Sequence, residues 1–325
     1  MSRLAIVIPA FKIQFFRQTL ESIAFQTCTD FTLYIGDDES PANLELIVDL
    51  FRDKINIKYV RFTQNLGGKD LVAHWERCID LTTNEDWIWL FSDDDIMDST
   101  CVENFYNTLE AHPNYDLFHF NKTKIDEENN VIEICFSYPE VLTVEQLLIG
   151  RLDGQISSWV IEYVFRKSTF LNVNRFQNFD LAWGSDDATW IKLGKKSGIK
   201  PIEKSKVHWR ESRFNISPNN WSESFVTRKL QSQIEFAKWV IGESKEITQN
   251  SNELIIRQKI KNWFYYALKY KSRYISLNAT TKLLQNFNRV LKPNGLSSRE
   301  IIFLYLYQVY CFCKYDILGF GRSIS

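Results

Sequence analysis

Residues 87–95 read Trp87-Ile88-Trp89-Leu90-Phe91-Ser92-Asp93-Asp94-Asp95, so that five apolar residues run directly into a hydroxyl and three carboxylates. A short, continuous apolar run is typical of a strand buried on both faces of a parallel sheet. Three adjacent carboxylates at its end repel one another unless a cation lies among them. The segment therefore predicts a buried strand that ends in a cation site, although a solvated acidic turn explains the triplet alone equally well.

The same alternation of apolar runs and polar turns extends over the preceding residues. Strands are predicted at 4–8, 32–35 and 57–62 as well as at 87–91, and segments with helical periodicity separate them. Strand–helix alternation of this kind is typical of βαβ units with a mostly parallel sheet. Ligands bind beyond the carboxyl ends of the strands in such sheets, so we expect the polar segments after these strands to meet at one rim.

The later part of the chain changes character. Strands at 117–121 and 131–136 and helices at 101–109 and 188–193 are predicted before residue 218, and the pattern after it is helical almost to the end. We therefore expect an α/β domain over 1–218, with halves at 1–98 and 99–218, followed by a helical region over 219–325.

Composition and charge narrow the class of protein. The net charge of −1 creates no global field toward nucleic acid, so no nucleic-acid partner is predicted. The N-terminus lacks the apolar region and cleavage site of a signal peptide, and no apolar stretch is long enough for a transmembrane helix. The six cysteines form no CxxC pair, which favours reduced thiols. These features predict a cytoplasmic protein.

Polar segments also follow the second and third predicted strands. Asp37 and Asp38 can accept hydrogen bonds from a base or a ribose. Asn65 precedes Gly67, where a ligand can approach the backbone closely, and Lys69, whose charge can meet a phosphate. Ordinary turn chemistry explains both segments equally well, so each one alone leaves both interpretations open.

Two further polar segments lie beyond residue 180. Asp186 and Asp187 precede a predicted helix, where a carboxylate can act as a general base toward an acceptor hydroxyl or can simply cap the helix. His208 can ligate a metal, and Arg210 or Arg213 can contact a diphosphate. A lone histidine is more often packed or solvated, so this segment also leaves two interpretations open.

Taken in order, these segments resemble the family 2 glycosyltransferases with the GT-A fold, over about residues 3–215. The matching segments are Ile6-Val7-Ile8-Pro9-Ala10-Phe11, Gly36-Asp37-Asp38-Glu39-Ser40, Asn65-Leu66-Gly67, Phe91-Ser92-Asp93-Asp94-Asp95-Ile96 and Gly184-Ser185-Asp186-Asp187. They are similar to the family's opening strand, its nucleotide-binding turn, its NxG element, its DxD region and its ED motif. The resemblance implies a Rossmann-like, mostly parallel sheet flanked by helices, with a helical C-terminal extension.

The resemblance also implies roles for individual residues. The residues expected to bind the nucleotide-sugar are Pro9, Ala10, Phe11, Asp37, Asp38, Asn65, Gly67, Lys69 and Asp93. Asp94, assisted by Asp93 or Asp95, is expected to hold Mn²⁺ or Mg²⁺, and His208 is a further candidate ligand. Asp186 is the expected catalytic base, with Asp187 as its rival. The chain departs from the family pattern at Ser92, where the first aspartate of the DxD region is common, and at Ser185, which replaces the glutamate of the ED motif.

The resemblance implies an inverting transfer of a sugar from a nucleotide-sugar donor to an acceptor hydroxyl, in the biosynthesis of a bacterial polysaccharide such as capsule or O-antigen. The acceptor would be a glycan or a lipid-linked glycan. Two alternatives are a sugar-phosphate nucleotidyltransferase and a non-catalytic module that binds nucleotide or glycan on the same fold. The aromatic helices after residue 219 suit packing on the catalytic domain, a homo-oligomer, or peripheral contact with the inner face of the membrane.

Overall fold

A computed structural model of the chain describes residues 3–135, 137–215, 221–248 and 253–314. The chain separates into two compact units. The first unit is formed by Met1–Asn178 with Ser185–Arg213, and the second by Phe179–Gly184 with Phe214–Ser325.

The first unit contains a single mixed sheet among its described residues. Its strands are β1 (Leu4–Ala10), β2 (Phe31–Asp37), β3 (Ile57–Arg61), β4 (Trp87–Leu90), β5 (Ile96–Met97), β6 (Leu117–Ile125), β7 (Val131–Ile134), β8 (Tyr163–Arg166) and β9 (Lys200–Arg210). They lie in the order β3-β2-β1-β4-β8-β6-β9-β5, and β7 pairs with β6. The first four strands pair in parallel, as the alternation predicted. Beyond β4, antiparallel pairs join β8 to β4 and to β6.

Helices connect these strands and form most of the second unit. Those of the first unit are α1 (Phe16–Ala24), α2 (Glu45–Val48), α3 (Leu71–Ile79), α4 (Cys101–Ala111), α5 (Val144–Leu152), α6 (Lys167–Asn172) and α7 (Ser185–Gly194). Those of the second unit are α8 (Glu223–Ile247), α9 (Glu253–Lys271), α10 (Leu277–Leu291) and α11 (Ser298–Phe312). The helical C-terminal region is thus confirmed. Within the described part of the chain, no helix has both the length and the apolar character needed to cross a membrane.

The apolar strand ahead of the acidic triplet lies at the centre of the core. Trp87 and Trp89 are fully buried. The Trp89 ring stacks on Phe120 at 4.7 Å between centroids, and its Nε1 donates to the carbonyl of Ile161 at 2.7 Å. Ile88 and Leu90, whose side chains point to the opposite face, are also buried, so the strand is covered on both faces.

Strands β8 and β9 had no counterpart in the sequence prediction. β9 pairs in parallel with β6, but the register shifts between Phe120 and Asn121. On β9 itself Lys204 has a φ of 67°. Because this irregularity breaks the period-two alternation, and because the strand carries several lysines, β9 does not show the pattern of a strand.

A buried ion pair connects β6 to the segment ahead of β8. Lys122 Nζ lies 2.6 Å from Glu162 Oε2, and both side chains are at most 1% exposed. The same ammonium donates to the carbonyl of Ser157 at 2.8 Å. Burial raises the pKa of Glu162 to about 7, and the charge of Lys122 opposes that rise. Such a pair is costly to break, because the remaining partner stays buried without a counter-charge.

We expect Lys122→Met to lower the free energy of unfolding by about 3–5 kcal/mol, since it strands the Glu162 carboxylate. Adding Glu162→Gln to that variant should recover a large part of the loss. Urea unfolding followed by tryptophan fluorescence measures both changes. A single variant as stable as the parent chain would contradict the pairing.

Candidate active site

The acidic turn after β4 is tied to the loop after β1. The carboxylate of Asp93 accepts hydrogen bonds from the backbone N–H groups of Phe11 and Lys12, at 2.8 and 2.7 Å. Asp93, Asp94 and Asp95 are each at most 4% exposed. A buried carboxylate needs donors of this kind to offset its lost hydration. The turn is therefore a structured element rather than a solvated acidic loop.

Lys12 supplies the positive charge at this turn. Its Nζ contacts Asp94 Oδ2 and lies 3.4 Å from Asp93 Oδ1. Burial works against the ammonium, but the charges of Asp93 and Asp94 outweigh it and raise the pKa of Lys12. The predicted requirement for a cation among the carboxylates is thus met by a side chain that sequence reasoning missed. In the sequence, Lys12 is marked only by its position directly after Phe11, the last residue of the segment that closes the first strand.

Asp95 has a different environment from Asp94. Its Oδ1 accepts the backbone N–H of Arg210 at 2.7 Å, and its Oδ2 accepts the hydroxyl of Ser92. Burial, and then the charge of Asp94, raise the pKa of Asp95 to about 8. Arg210 is fully buried and its Nε donates to the carbonyl of Asp94 at 2.7 Å. Arg210 therefore stabilises the acidic turn through these buried hydrogen bonds, and its side chain is not positioned to contact a diphosphate.

The turn after β2 folds around two buried carboxylates. Asp37 accepts from the hydroxyl of Tyr59 at 2.6 Å and from Arg61 at 2.7 Å. Asp38 accepts the backbone N–H groups of Leu66 and Gly67, both at 2.8 Å. A Cβ at position 67 would lie 2.7 Å from Asp38 Oδ2, so the loop needs glycine there. Both aspartates hold the rim in shape through these contacts.

The loops after β1 and β2 are also joined directly. Asp38 donates its backbone N–H to the carbonyl of Ala10 at 2.8 Å, and the Ser40 hydroxyl donates to the carbonyl of Phe11 at 2.8 Å. Pro9 lies opposite Gly36 in the β1–β2 register. The structure thus brings the segments after β1, β2, β3 and β4 to one rim. Asn65 accepts the N–H of Gly68 at 2.8 Å, and Lys69 is exposed.

A second pair of carboxylates begins α7. The Nε of Arg151 donates to both carboxylate oxygens of Asp187, at 3.0 and 2.9 Å. Asp186 is half-buried beside them. Burial, and then the charge of Asp187, raise the pKa of Asp186 to about 7, while Arg151 acts in the opposite direction. A carboxylate in this state can exchange a proton near neutral pH, whereas Asp187 is committed to Arg151.

The acidic turn offers two carboxylate oxygens to a divalent cation. Within the described residues, no three His, Cys, Asp or Glu side chains are grouped so as to hold a metal by themselves. His208 is engaged through both ring nitrogens, with Asp98 at 3.0 Å and Thr123 at 2.7 Å. The oxygens that already face a cation are Asp93 Oδ1 and Asp94 Oδ2, where Lys12 lies. Two carboxylate oxygens fit a Mg²⁺ or Mn²⁺ ion whose other ligands are phosphate oxygens and water.

Comparison with known proteins gives the same fold. Residues 5–153 match the family model for glycosyl transferase family 2. The solved structure of S. aureus TarS 1–349 in complex with UDP-GlcNAc has a TM-score of 0.66 at 15% identity, covering 98% of this chain and 92% of that chain. TarS 1–349 in complex with UDP has a TM-score of 0.61 at 13% identity, covering 99% and 93%. No curated protein matches the chain in sequence.

The sheet and the helical C-terminal region are those of the GT-A glycosyltransferase structures. Over residues 5–153, somewhat under half of its length, the chain is similar to glycosyl transferase family 2.

Asp186 should show an unusual titration. In a ¹³C NMR spectrum of carboxyl-labelled aspartate, we expect one resonance with a midpoint near pH 7 that is missing from Asp186→Asn. Arg151→Gln should move this midpoint upward, because it removes a positive charge that favours the carboxylate. Asp180→Asn is the control, since Asp180 pairs with Arg228 instead. An Asp186 signal that titrates near pH 4 would exclude the raised pKa.

Proposed function

We propose that this chain is an inverting glycosyltransferase that moves a sugar from a nucleotide-sugar donor to an acceptor hydroxyl of a glycan or a lipid-linked glycan. The proposal rests on the environment of Asp186, which is half-buried at the start of α7 and has a pKa of about 7. This residue belongs to the same unit as the rim. The family and the fold supply the reaction class. Bacterial surface polysaccharide is the product class that the resemblance favours.

In the proposed step, Asp186 takes the proton of the acceptor hydroxyl. The acceptor oxygen attacks the anomeric carbon from the side opposite the diphosphate, and the bond from that carbon to the diphosphate oxygen breaks. The nucleoside diphosphate leaves, and the configuration at the anomeric carbon inverts. Arg151 neutralises Asp187, so that Asp186 faces one carboxylate whose charge is already balanced. General-base assistance of this kind contributes about 10²–10⁴-fold.

The rim supplies the donor-binding part of the proposal. Phe11 is 40% exposed above the anchored turn, and Asp37, Asp38, Asn65 and Gly67 shape the neighbouring loops. Lys12 and Lys69 provide positive charge for a diphosphate. A divalent cation, when bound by Asp93 and Asp94, would stabilise the charge that develops on the leaving diphosphate. Asp95 and His208 would join the metal only by giving up their present partners.

The base assignment has a direct test. We expect Asp186→Asn to lower turnover by about 10²–10⁴-fold while donor binding stays unchanged, since the amide cannot accept the proton. The rate of the parent chain should rise with pH through about 7, as Asp186 loses its proton. Asp180→Asn, which alters an exposed ion pair, should keep normal turnover. Full activity in Asp186→Asn would remove this residue from the role.

The metal assignment is tested by calorimetric binding of UDP, GDP, CDP and dTDP, each with and without Mn²⁺. UDP is the first choice, because one TarS structure contains it. We expect one nucleotide to bind in a Mn²⁺-dependent way, with at least about tenfold loss in Asp94→Asn. Asp95→Asn should retain that binding, because both oxygens of Asp95 already have donors. The reverse ranking of the two variants would move the metal to Asp95.

Binding of none of these nucleotides would count against the donor site itself. A non-catalytic module that keeps the fold would then be the better description. Nucleotide binding without transfer, combined with pyrophosphate release from a nucleoside triphosphate, would instead favour a nucleotidyltransferase.

A further inference from the structure

The last described helix of the second unit exposes an apolar face. Its large exposed side chains are Ile302 (57%), Phe303 (46%), Leu306 (65%), Val309 (46%), Tyr310 (57%) and Phe312 (57%). Residues 301–313 contain no charged residue. A helix on the surface of a globular protein normally places polar side chains on its outer face, and a contiguous apolar patch there marks an interaction site.

A groove extends this apolar face toward α10. It has a volume of about 280 Å³, and its lining includes Arg273, Ile275, Leu277, Val309 and Phe312. Leu277 is itself 50% exposed at the start of α10. The groove therefore combines apolar walls with an arginine, Arg273, whose guanidinium also contacts the rings of Tyr270 and Tyr274. This combination suits a ligand that has both a hydrocarbon part and an anionic part.

The surrounding sequence is strongly basic. Residues 254–299 contain ten Lys and Arg residues and no Asp or Glu, although Arg257 pairs with Glu253 and Lys261 with Glu300 at the two ends of this segment. Lys269 Nζ lies 5.1 Å from the ring of Phe303 and 5.0 Å from that of Tyr307. Lys314 Nζ lies 5.9 Å from the ring of Tyr310. Ammonium groups beside half-exposed aromatic rings can reach an anionic surface while the rings enter an apolar one.

We propose that the exposed face of α11, with the groove, Lys269, Arg273 and Lys314 beside it, binds the surface of an anionic lipid bilayer. Each Lys or Arg near such a surface contributes about 1 kcal/mol, and the apolar side chains insert at the boundary between headgroups and acyl chains. The proposal concerns binding alone and holds whether or not the proposed transferase reaction is correct.

Two other occupants explain fewer of the observations. A second copy of the chain would bring two of these basic segments together, and like charges repel. Nucleic acid would satisfy the basic residues, but it would leave the aliphatic side chains of α11 in water. A lipid surface matches both the sign of the charge and the apolar face. With 15 residues, α11 is too short to span a bilayer, so it would lie along the interface.

The test is co-sedimentation of the full chain with vesicles of phosphatidylcholine, with and without added phosphatidylglycerol. We expect binding to the anionic vesicles that weakens with salt, because screening reduces the electrostatic part. Leu306→Glu should weaken it by at least about tenfold, since it replaces an inserting side chain with a charge. Leu46→Glu is the matched control, because Leu46 is equally exposed, at 66%, on a helix of the first unit.

Several outcomes would overturn the proposal. Absence of binding to either kind of vesicle would do so, and so would equal binding by the Leu306→Glu and Leu46→Glu variants. Sedimentation velocity that shows a dimer of the parent chain, lost in Leu306→Glu, together with no vesicle binding, would identify a second copy as the partner. Circular dichroism confirms that each variant is folded. Nucleotide binding by the Leu306→Glu variant should be unchanged, which separates this test from that of the proposed function.

Discussion

The candidate site depends on one interaction, the acceptance of two backbone N–H groups by the buried carboxylate of Asp93. Three consecutive carboxylates that are almost fully buried would be strongly destabilising without donors. The two amides belong to the loop after β1, so the charge of one strand end is balanced by the backbone of its neighbour. Hydrogen bonds to charged groups contribute about 1.5–3 kcal/mol each, which is enough to fix the distance between these loops. The contacts of Ser40 and Asp38 with the β1 loop then extend the same frame to β2.

This frame divides the acidic residues of the site into two groups. The carboxylates of Asp37, Asp38 and Asp95 accept hydrogen bonds from donors within the chain. These hydrogen bonds determine the shape of the rim. Asp94 differs because its Oδ2 contacts the ammonium group of Lys12, whose place another cation can take. Asp186 differs again, because its neighbour Asp187 is balanced by Arg151 and its own proton is left exchangeable near neutral pH. Groups with fixed partners build the site, and groups with replaceable partners are suited to chemistry.

The parallel half of the fold could be predicted from sequence because each of its strands is an uninterrupted apolar run followed by a polar turn. The rim followed from that, since parallel strands end on the same side of a sheet. β9 could not be predicted, because a register shift interrupts its alternation. Lys12, Arg151 and Tyr59 were missed for another reason. Each acts on a carboxylate far away in sequence, and no local pattern reports a contact that only the tertiary structure creates. Arg210 was noticed, but its burial beneath the acidic turn could not be foreseen.

The net charge of −1 is also a poor guide to the structure, because a sum over the whole chain hides local clusters of charge. It argues against a field over the whole molecule, but it conceals a segment of 46 residues that contains ten cations and no carboxylate of its own. Electrostatic attraction is screened beyond about 8–10 Å at physiological salt, so a partner that approaches this segment responds to its local charge and not to the sum over the chain. The exposed apolar face of α11 lies next to that segment in sequence and contacts it through Lys269. Charge and apolar area therefore act together at one surface, and neither whole-chain composition nor hydropathy averaged over the sequence would reveal it.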